Sequence, residues 1–327
     1  MSGEDAADPM AGSAPAGAIA TDVASVTMAD SVVSIGFFDG VHRGHRSIIE
    51  RALQVARAEG VRSAVVTFDR HPMEVVRPGS QPPLLQRADR RARTLAATGV
   101  DLVVMIPFDD ELRHLDPEGF VERVLGDRLR PRAVVVGENF RFGHRAAGDV
   151  DALAEIGRRR GFTAEGVPLA TWEGLVVSST EIRRRVEAGE VAAAAELLGR
   201  PFALDGLVVR GDGRGKDLGF PTANLSLDPR LVAPARGVYA GWARLPEGGL
   251  VPAVTNVGVN PTFGGQQLRV EPYLLDFDGD LYGWELTVDF RARLRGEHSY
   301  EGAEALIAQM HRDVAEARRV LGLDASA

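Results

Sequence analysis

The sequence contains no cysteine. Disulfides, thiolate metal sites and a cysteine nucleophile are therefore excluded, and the composition suits a reducing cytoplasm. Also missing is any uninterrupted apolar run of about 18 residues, the minimum for a membrane-spanning helix, so no membrane partner is expected. There is no basic excess: 38 Lys and Arg face 46 Asp and Glu, a formal net charge of −8. Nucleic-acid binding needs a basic face to neutralise phosphates, so nucleic acid is not expected as a partner. Small anionic substrates stay open, because a local site can be basic within an acidic protein. Residues 1–30 contain no Lys or Arg but carry Glu4, Asp5, Asp8, Asp22 and Asp30 among Ala and Gly. Neither a secretory signal nor a mitochondrial presequence has that composition, and the segment reads as a disordered acidic arm.

What is present is a soluble, globular composition, 45% hydrophobic and 26% charged, in 327 residues, enough for two domains with their own cores. From Ser31 onward short β-branched runs alternate with helical stretches. The runs at 32–37, 62–68, 101–108, 132–137 and 162–169 are continuously apolar, as strands covered on both faces are. That alternation predicts a doubly wound parallel α/β sheet. Near Gly199 the grammar changes to strand-like runs without helices between them, with Gly, Pro and Asn at the joints. This predicts an antiparallel β-barrel closed by a single C-terminal helix. The predicted division is an α/β domain over 31–186, a linker helix over 187–200 and a barrel domain over 201–327.

The stretch "SIGFFDGVHRGH" (34–45) follows the first predicted strand, where ligands of open α/β sheets sit. If a helix begins near His42, spacing of three puts His42 and His45 on one face of its first turn, beside unpaired N–H groups that favour phosphate. Gly44, lacking Cβ, would let a nucleotide lie close. A metal held by Asp39, His42 and His45 and an incidental surface helix start are the alternatives. "SSTEIR" begins with Ser178 and reads as a capping box with Glu181, a helix start that can also hold an anion. "GENFRFG" offers Asn139 and Arg141, while its Phe140 and Phe142 read equally well as core.

In the second half, "VVRGDGRGKDLGFPTANL" (208–225) has a glycine-rich loop (Gly211, Gly213, Arg214, Gly215, Lys216) whose backbone N–H groups could cradle phosphates. It is neither a Walker sequence nor a dinucleotide fingerprint. Thr222 and Asn224 present hard oxygens two residues apart, which suit Mg²⁺ or an ordinary turn. Asp276, Asp278 and Asp280 lack the tail of a Ca²⁺ loop and read as a turn.

"GFFDGVHRGH" resembles the "FDGxHxGH" signature of nucleotidyltransferases in the form found in bacterial bifunctional riboflavin kinase/FMN adenylyltransferases, or FAD synthetases. "TFDRHPMEVVRP", "VVVGENFRFG", "VSSTEIR" and "GEVAAAAELLGRPF" resemble their counterparts in order, although Arg70 stands where the family usually has proline. "GRGKDLGFPTAN", "GVYAGWA", "NVGVNPTFGG" and "VEPYLLDFDGDLYGWELTV" resemble the riboflavin kinase module. The resemblance implies a cytoplasmic enzyme that phosphorylates riboflavin to FMN and then transfers an adenylyl group from ATP to FMN, with Mg²⁺ in both steps. It implies that His42 and His45 contact the α-phosphate, with Gly36, Phe37, Asp39, Gly44, Ser178, Ser179, Thr180 and Arg183 around ATP. Asn139 and Arg141 would border the flavin. Thr222 and Asn224 would hold Mg²⁺ and ATP, and Glu271 would be the base for the riboflavin hydroxyl. Pro272 departs from the polar residue expected there and suggests an edge strand. An adenylyltransferase with an impaired kinase and a flavin-binding regulatory protein are the rival expectations, and homo-oligomerisation is left open.

Overall fold

The computed structural model describes residues 17–28, 30–211, 215, 218–262 and 265–323. The chain forms two compact units, one of residues 1–82 and 87–177, the other of residues 83–86 and 178–327.

The first unit is built on a six-stranded parallel sheet, with β1 (Ala18–Ala20), β2 (Ser31–Ile35), β3 (Arg62–Phe68), β4 (Leu102–Ile106), β5 (Pro131–Gly137) and β6 (Thr163–Val167). Their order is β1-β4-β3-β2-β5-β6, so β2 lies inside the sheet between strands reached in opposite directions along the chain. Side chains alternate across such a strand. Val32 packs with Ala52 and Ala56 of helix α1 (Arg43–Glu59) on one face, while Val33 and Ile35 join a cluster with Phe120 and Leu153 on the other. Both faces are covered, which is why the strands carry no polar alternation. Five more helices of four to eleven residues follow: α2 (Pro72–Val76), α3 (Ala88–Ala96), α4 (Pro117–Val124), α5 (Gly126–Leu129) and α6 (Val150–Arg160). A small hairpin, β7 (Thr171–Trp172) with β8 (Leu175–Val176), ends the unit.

The expected acidic arm is corrected from Gly17 onward. Ala18–Ala20 pair in parallel with Leu102–Val104, and Val23 and Met28 are buried in the sheet core. Three small or apolar residues sufficed for an edge strand once a partner strand was present. Residues 1–16 lie outside the described residues.

The second unit opens with a helical pair, α7 (Ser179–Glu187) and α8 (Val191–Leu198), followed by β9 (Phe202–Val209), β10 (Asn224–Leu227), β11 (Gly237–Arg244), β12 (Leu250–Thr262), β13 (Gly265–Leu274), β14 (Glu285–Phe290), β15 (Ala292–Arg295) and α9 (Ala303–Val320). Strands run β12-β13-β10-β9-β14-β11, and β11 pairs again with β12, closing a six-stranded antiparallel barrel. Phe202, Tyr239 and Phe290 fill it, with Tyr239 edge-on to Phe290 at 5.4 Å. The compact units divide at 177/178, earlier than the predicted end at 186, with α7 packed on α8 in the second.

Candidate functional site

In the first unit, β2 ends at Ile35 and a tight loop carries the chain to α1. The loop is tied to β3 by the Gly36 N–H donating to the Val66 carbonyl at 3.1 Å and the Thr67 hydroxyl donating to the Phe37 carbonyl at 3.0 Å. Phe38, Gly40 and Val41 all take positive φ, at 54°, 83° and 42°. For a β-branched residue such as Val41 that conformation is strained, and it persists here because the side chain is fully buried. The strain turns the chain sharply enough to present His42 at the start of α1.

His42 is the N-cap of α1, and its Nδ1 accepts from the His45 N–H at 3.3 Å. A neutral His42 therefore carries its proton on Nε2. The two imidazoles stack with centroids 3.5 Å apart and 19° between planes, while Phe38 meets His45 edge-on at 5.2 Å. The spacing of three has done what the sequence reading expected of it. A Cβ at Gly44 would lie 3.3 Å from His42 and 3.4 Å from the Val177 carbonyl, so no larger residue fits comfortably. Asp39 is buried beneath the loop. Among the described residues no three His, Cys, Asp or Glu side chains form a metal-binding group, Asp39, His42 and His45 included. What remains is two stacked imidazoles at a helix N-terminus, an arrangement whose donors and dipole suit an anion such as phosphate.

A cavity of about 710 Å³ opens in the same unit, floored by Phe68, Phe108, Phe120, Phe140 and Phe142. Arg141 lies on its wall. Phe140 and Phe142 stack at 5.4 Å, with Phe142 in the core and Phe140 packed against it, so the core reading of these two rings holds. Asn139 lies at the end of β5, with Oδ1 3.1 Å from where a Cβ on Gly137 would be. An aromatic floor with a basic rim fits a planar, apolar ring that carries an anionic tail. Arg70 leaves the neighbouring loop intact by pairing with Asp69 at 2.7 Å. Partial burial pushes the Asp69 carboxyl up, but Arg70 and the Phe108 N–H outweigh it and hold the group below its ordinary value.

Sequence reading did not single out three other residues here. Arg43, between the two histidines, lies over the Trp172 ring at 4.2 Å. Arg91 of α3 is fully buried with its guanidinium 4.2 Å from the Phe37 ring centroid. A helical arginine is ordinarily read as solvent-facing, so periodicity gives no signal for this one.

Ser178, Ser179, Thr180 and Arg183 stand at the start of α7, in the second unit. Ser178 caps the helix by accepting from the Glu181 N–H at 3.2 Å, as expected. The reciprocal half of the box is not made. The Glu181 carboxylate turns to Arg184 and Arg185 instead, and the Arg184 bond leads in holding it down to about 2.

The barrel and α9 enclose a second cavity of about 840 Å³. Thr222, Asn224 and Glu271, far apart in sequence, line it together. Glu271 on β13 stands in register with Asn256 on β12, whose amide donates to it at 3.4 Å, and Arg269 approaches its other oxygen at 3.3 Å. Leu306, Met310 and Val314 of α9 supply an apolar wall. Gly211 and Gly215 are packed on the Thr222–Asn224 segment: a Cβ at 211 would overlap the Asn224 amide, and one at 215 would lie 3.1 Å from the Thr222 hydroxyl. Gly213, Arg214 and Lys216 lie outside the described residues. Asp276 pairs with Arg318, and Asp280 accepts from the Tyr282 N–H, so this acidic stretch is a turn.

The edge-strand expectation for Pro272 is overturned. β13 pairs with β12 on one side and β10 on the other. The proline is tolerated because it faces the irregular entry to β10, where its carbonyl accepts from the Ala223 N–H at 2.9 Å and no long ladder needs its missing donor.

Family models match both units: FAD synthetase over residues 25–181 and riboflavin kinase over residues 198–321. A bifunctional riboflavin kinase/FMN adenylyltransferase of Pseudomonas fluorescens is 42% identical over 88% of this chain and 92% of its own. Its counterpart in Escherichia coli is 37% identical, over 89% and 93%. A crystal structure described as a macrolide-efflux protein from Streptococcus pneumoniae superposes with a TM-score of 0.82 at 29% identity, over 92% of this chain and 98% of that one. No helix among the described residues is long and apolar enough to cross a membrane.

Proposed function

The chain belongs to the family of bifunctional riboflavin kinase/FMN adenylyltransferases, and from that premise we propose that it makes FAD in two ATP-dependent steps, each carried by its own constellation. The observation that carries this reading is the second cavity of about 840 Å³, where Thr222, Asn224 and Glu271 converge beside an apolar wall.

In the kinase step Glu271 takes the proton of the riboflavin 5′-hydroxyl as that oxygen attacks the γ-phosphorus of ATP and ADP leaves. Asn256 and Arg269 fix the carboxylate for this task. Thr222 and Asn224 offer the neutral hard oxygens that fit Mg²⁺, which when bound neutralises phosphate charge. Gly211 and Gly215, with Gly213, Arg214 and Lys216, form the phosphate loop.

In the adenylyl step an FMN phosphate oxygen attacks the α-phosphorus of ATP and pyrophosphate leaves. His42 and His45 donate to the charge that builds on the α-phosphate, a role of electrostatic stabilisation rather than proton abstraction. Gly36, Phe37, Asp39 and Gly44 shape the nucleotide's seat, and Ser178, Ser179, Thr180 and Arg183 take its outer phosphates. Asn139, Arg141 and the aromatic cavity receive the flavin. The adenylyltransferase segment is read as 31–186 and the kinase segment as 201–327, joined by the helical stretch 187–200. A chain without cysteine that uses ATP and riboflavin belongs in the cytoplasm.

The test is incubation with riboflavin, ATP and Mg²⁺ followed by chromatography of the flavins. Wild type should yield FAD, Glu271→Ala should leave riboflavin unused, and His45→Ala should stop at FMN. Riboflavin left untouched by wild type, with added FMN still converted, would remove the kinase from this reading.

A further inference from the structure

Arg91 is a buried charge whose packing alone does not explain it. Its side chain has no exposed surface, and Nε and Nη1 find no hydrogen-bond partner among the described residues. Only Nη2 is engaged, donating to the Phe68 carbonyl at the end of β3. Its neighbours on the inner face of α3, Ala92 and Leu95, are apolar. A methionine would complete that face at lower cost, since an underpaired buried charge is generally worse for stability than an apolar residue of the same shape. Desolvation is felt directly: burial pushes the guanidinium down from its ordinary value to about 10, against the opposing attraction of Asp39, Asp69, Asp89 and Glu74.

The position of this charge suggests its use. The guanidinium lies against the Phe37 ring, two residues before Asp39 and five before His42 in the loop that forms the adenylyl site. The Thr67 hydroxyl and the Val66 carbonyl hold the loop's backbone, and the Phe37 ring is met by Arg91 and by His71, which stands edge-on at 4.8 Å. Asp39 is the carboxylate that attracts Arg91 most strongly, and it is itself 2% exposed. Beyond this loop two anions, the phosphate of FMN and the triphosphate of ATP, must come together. Net negative charge beneath the loop would oppose both.

We propose that Arg91 is a positioning residue for adenylyl transfer: it clamps the Phe37 loop to the end of β3 and supplies the counter-charge that lets anionic substrates meet above Asp39. The inference rests on the reading of His42 and His45 as the adenylyl site. It does not involve the barrel, so riboflavin phosphorylation by the same chain serves as an internal reference.

The experiment compares full-length Arg91→Met, Arg91→Gln and Arg91→Lys with wild type and His45→Ala, measuring FMN-to-FAD conversion, riboflavin phosphorylation and Tm. For Met and Gln the expected result is a loss on the order of a hundredfold in kcat/KM for FAD formation, as for other misplacements at a distance from the chemistry. KM for both ATP and FMN should rise, while the kinase rate stays at its wild-type value and Tm does not fall. Lys, which keeps the charge without the planar fork, should recover to within about tenfold of wild type. Wild-type FAD formation by Arg91→Met overturns the proposal, as does a Lys variant no better than Met. A fall in kinase activity and Tm alongside FAD formation also overturns it, by making Arg91 part of the scaffold. If His45→Ala keeps full FAD formation, the site reading fails and the proposal with it; if only His45→Ala is inactive, the proposal fails alone.

Discussion

Replacing Gly211 by alanine should separate the two activities without unfolding the protein. Gly211 is not among the glycines with positive φ, so alanine meets no left-handed backbone there. The obstacle is space: the added Cβ would overlap the Asn224 amide, with Oδ1 only 2.6 Å away. Real Cβ contacts need roughly 1 Å more than the amide now leaves, and the side chain can yield that by turning about χ1. Rotation costs little stability at a partly open position, less than about 1 kcal/mol. It moves Asn224 Oδ1 away from Thr222 and Glu271, however, and a misplacement of about 1 Å is worth on the order of a hundredfold in rate, or about 2.7 kcal/mol of barrier. The contrast is Gly215, where a Cβ would overlap the Phe220 carbonyl. Backbone cannot rotate away, so Gly215→Ala should cost about 1–3 kcal/mol of stability as well as activity. The assay follows riboflavin and FMN consumption in one sample by chromatography, with thermal melts in parallel. Gly211→Ala should keep Tm and FMN adenylylation and lose riboflavin phosphorylation. An unchanged kinase rate would refute the placing of Asn224 at the phosphate end of the cavity.

Three further outcomes follow from the same geometry. Glu271→Gln retains the shape and the Asn256 and Arg269 neighbours but cannot take a proton, so phosphorylation should fall by about 10²–10⁴-fold with FMN adenylylation intact; a kinase rate within threefold of wild type in a flavin assay, where about threefold is the limit of a meaningful difference, would remove Glu271 as base. Gly36→Ala places a Cβ 2.8 Å from the Phe38 ring, which buttresses His45, and should slow FAD formation while sparing the kinase, checked by the same chromatography. The Arg91 substitution has a pH signature. The unfolded arginine keeps its proton to higher pH than the folded one, which holds it only to about 10, so above that pH the unfolded state binds more protons and wild-type stability rises with pH. Arg91→Met lacks that rise: its Tm should equal or exceed that of wild type at neutral pH, and its relative advantage should shrink above pH 10. Melts at pH 7 and at about pH 10.5 would show it, and a steep loss of Tm at pH 7 would contradict the reasoning.

The sequence made one site far more legible than the other, and for a physical reason. A phosphate seat at a helix N-terminus is assembled within a dozen residues, so the His42–His45 spacing, Gly44 and the preceding apolar run carry nearly all of it. The stacked rings and the N-cap role of His42 are local consequences of that spacing. The barrel cavity is different. Thr222, Asn224, Asn256 and Glu271 meet only because β10, β12 and β13 are neighbours in a closed sheet, and no local pattern reports a register such as Asn256 opposite Glu271. Only the motif likeness pointed to Glu271, and nothing pointed to Asn256 or Arg269. Strand status was misjudged at Pro272 for the same reason: proline's missing donor reads as an edge, whereas here the neighbouring segment is irregular at that one point. The arm failed in the opposite sense, since acidity and small residues signalled disorder while Val23 and Met28 were enough to anchor it.

Arg91 marks where reading by composition stops. Periodicity assigns a residue to a helix face by its type, so a charged side chain on the inner face is invisible to it: the only sequence signal is a mismatch with Ala92 and Leu95, and a single mismatch in a nine-residue helix is ordinary. The structure supplies the missing quantity, which is not the contact itself but the lack of one for two of the guanidinium's nitrogens. A group that folding disfavours and chemistry can use is best sought through such imbalances. In this chain the imbalance lies against Phe37, in the loop to which adenylyl transfer is assigned by proposal.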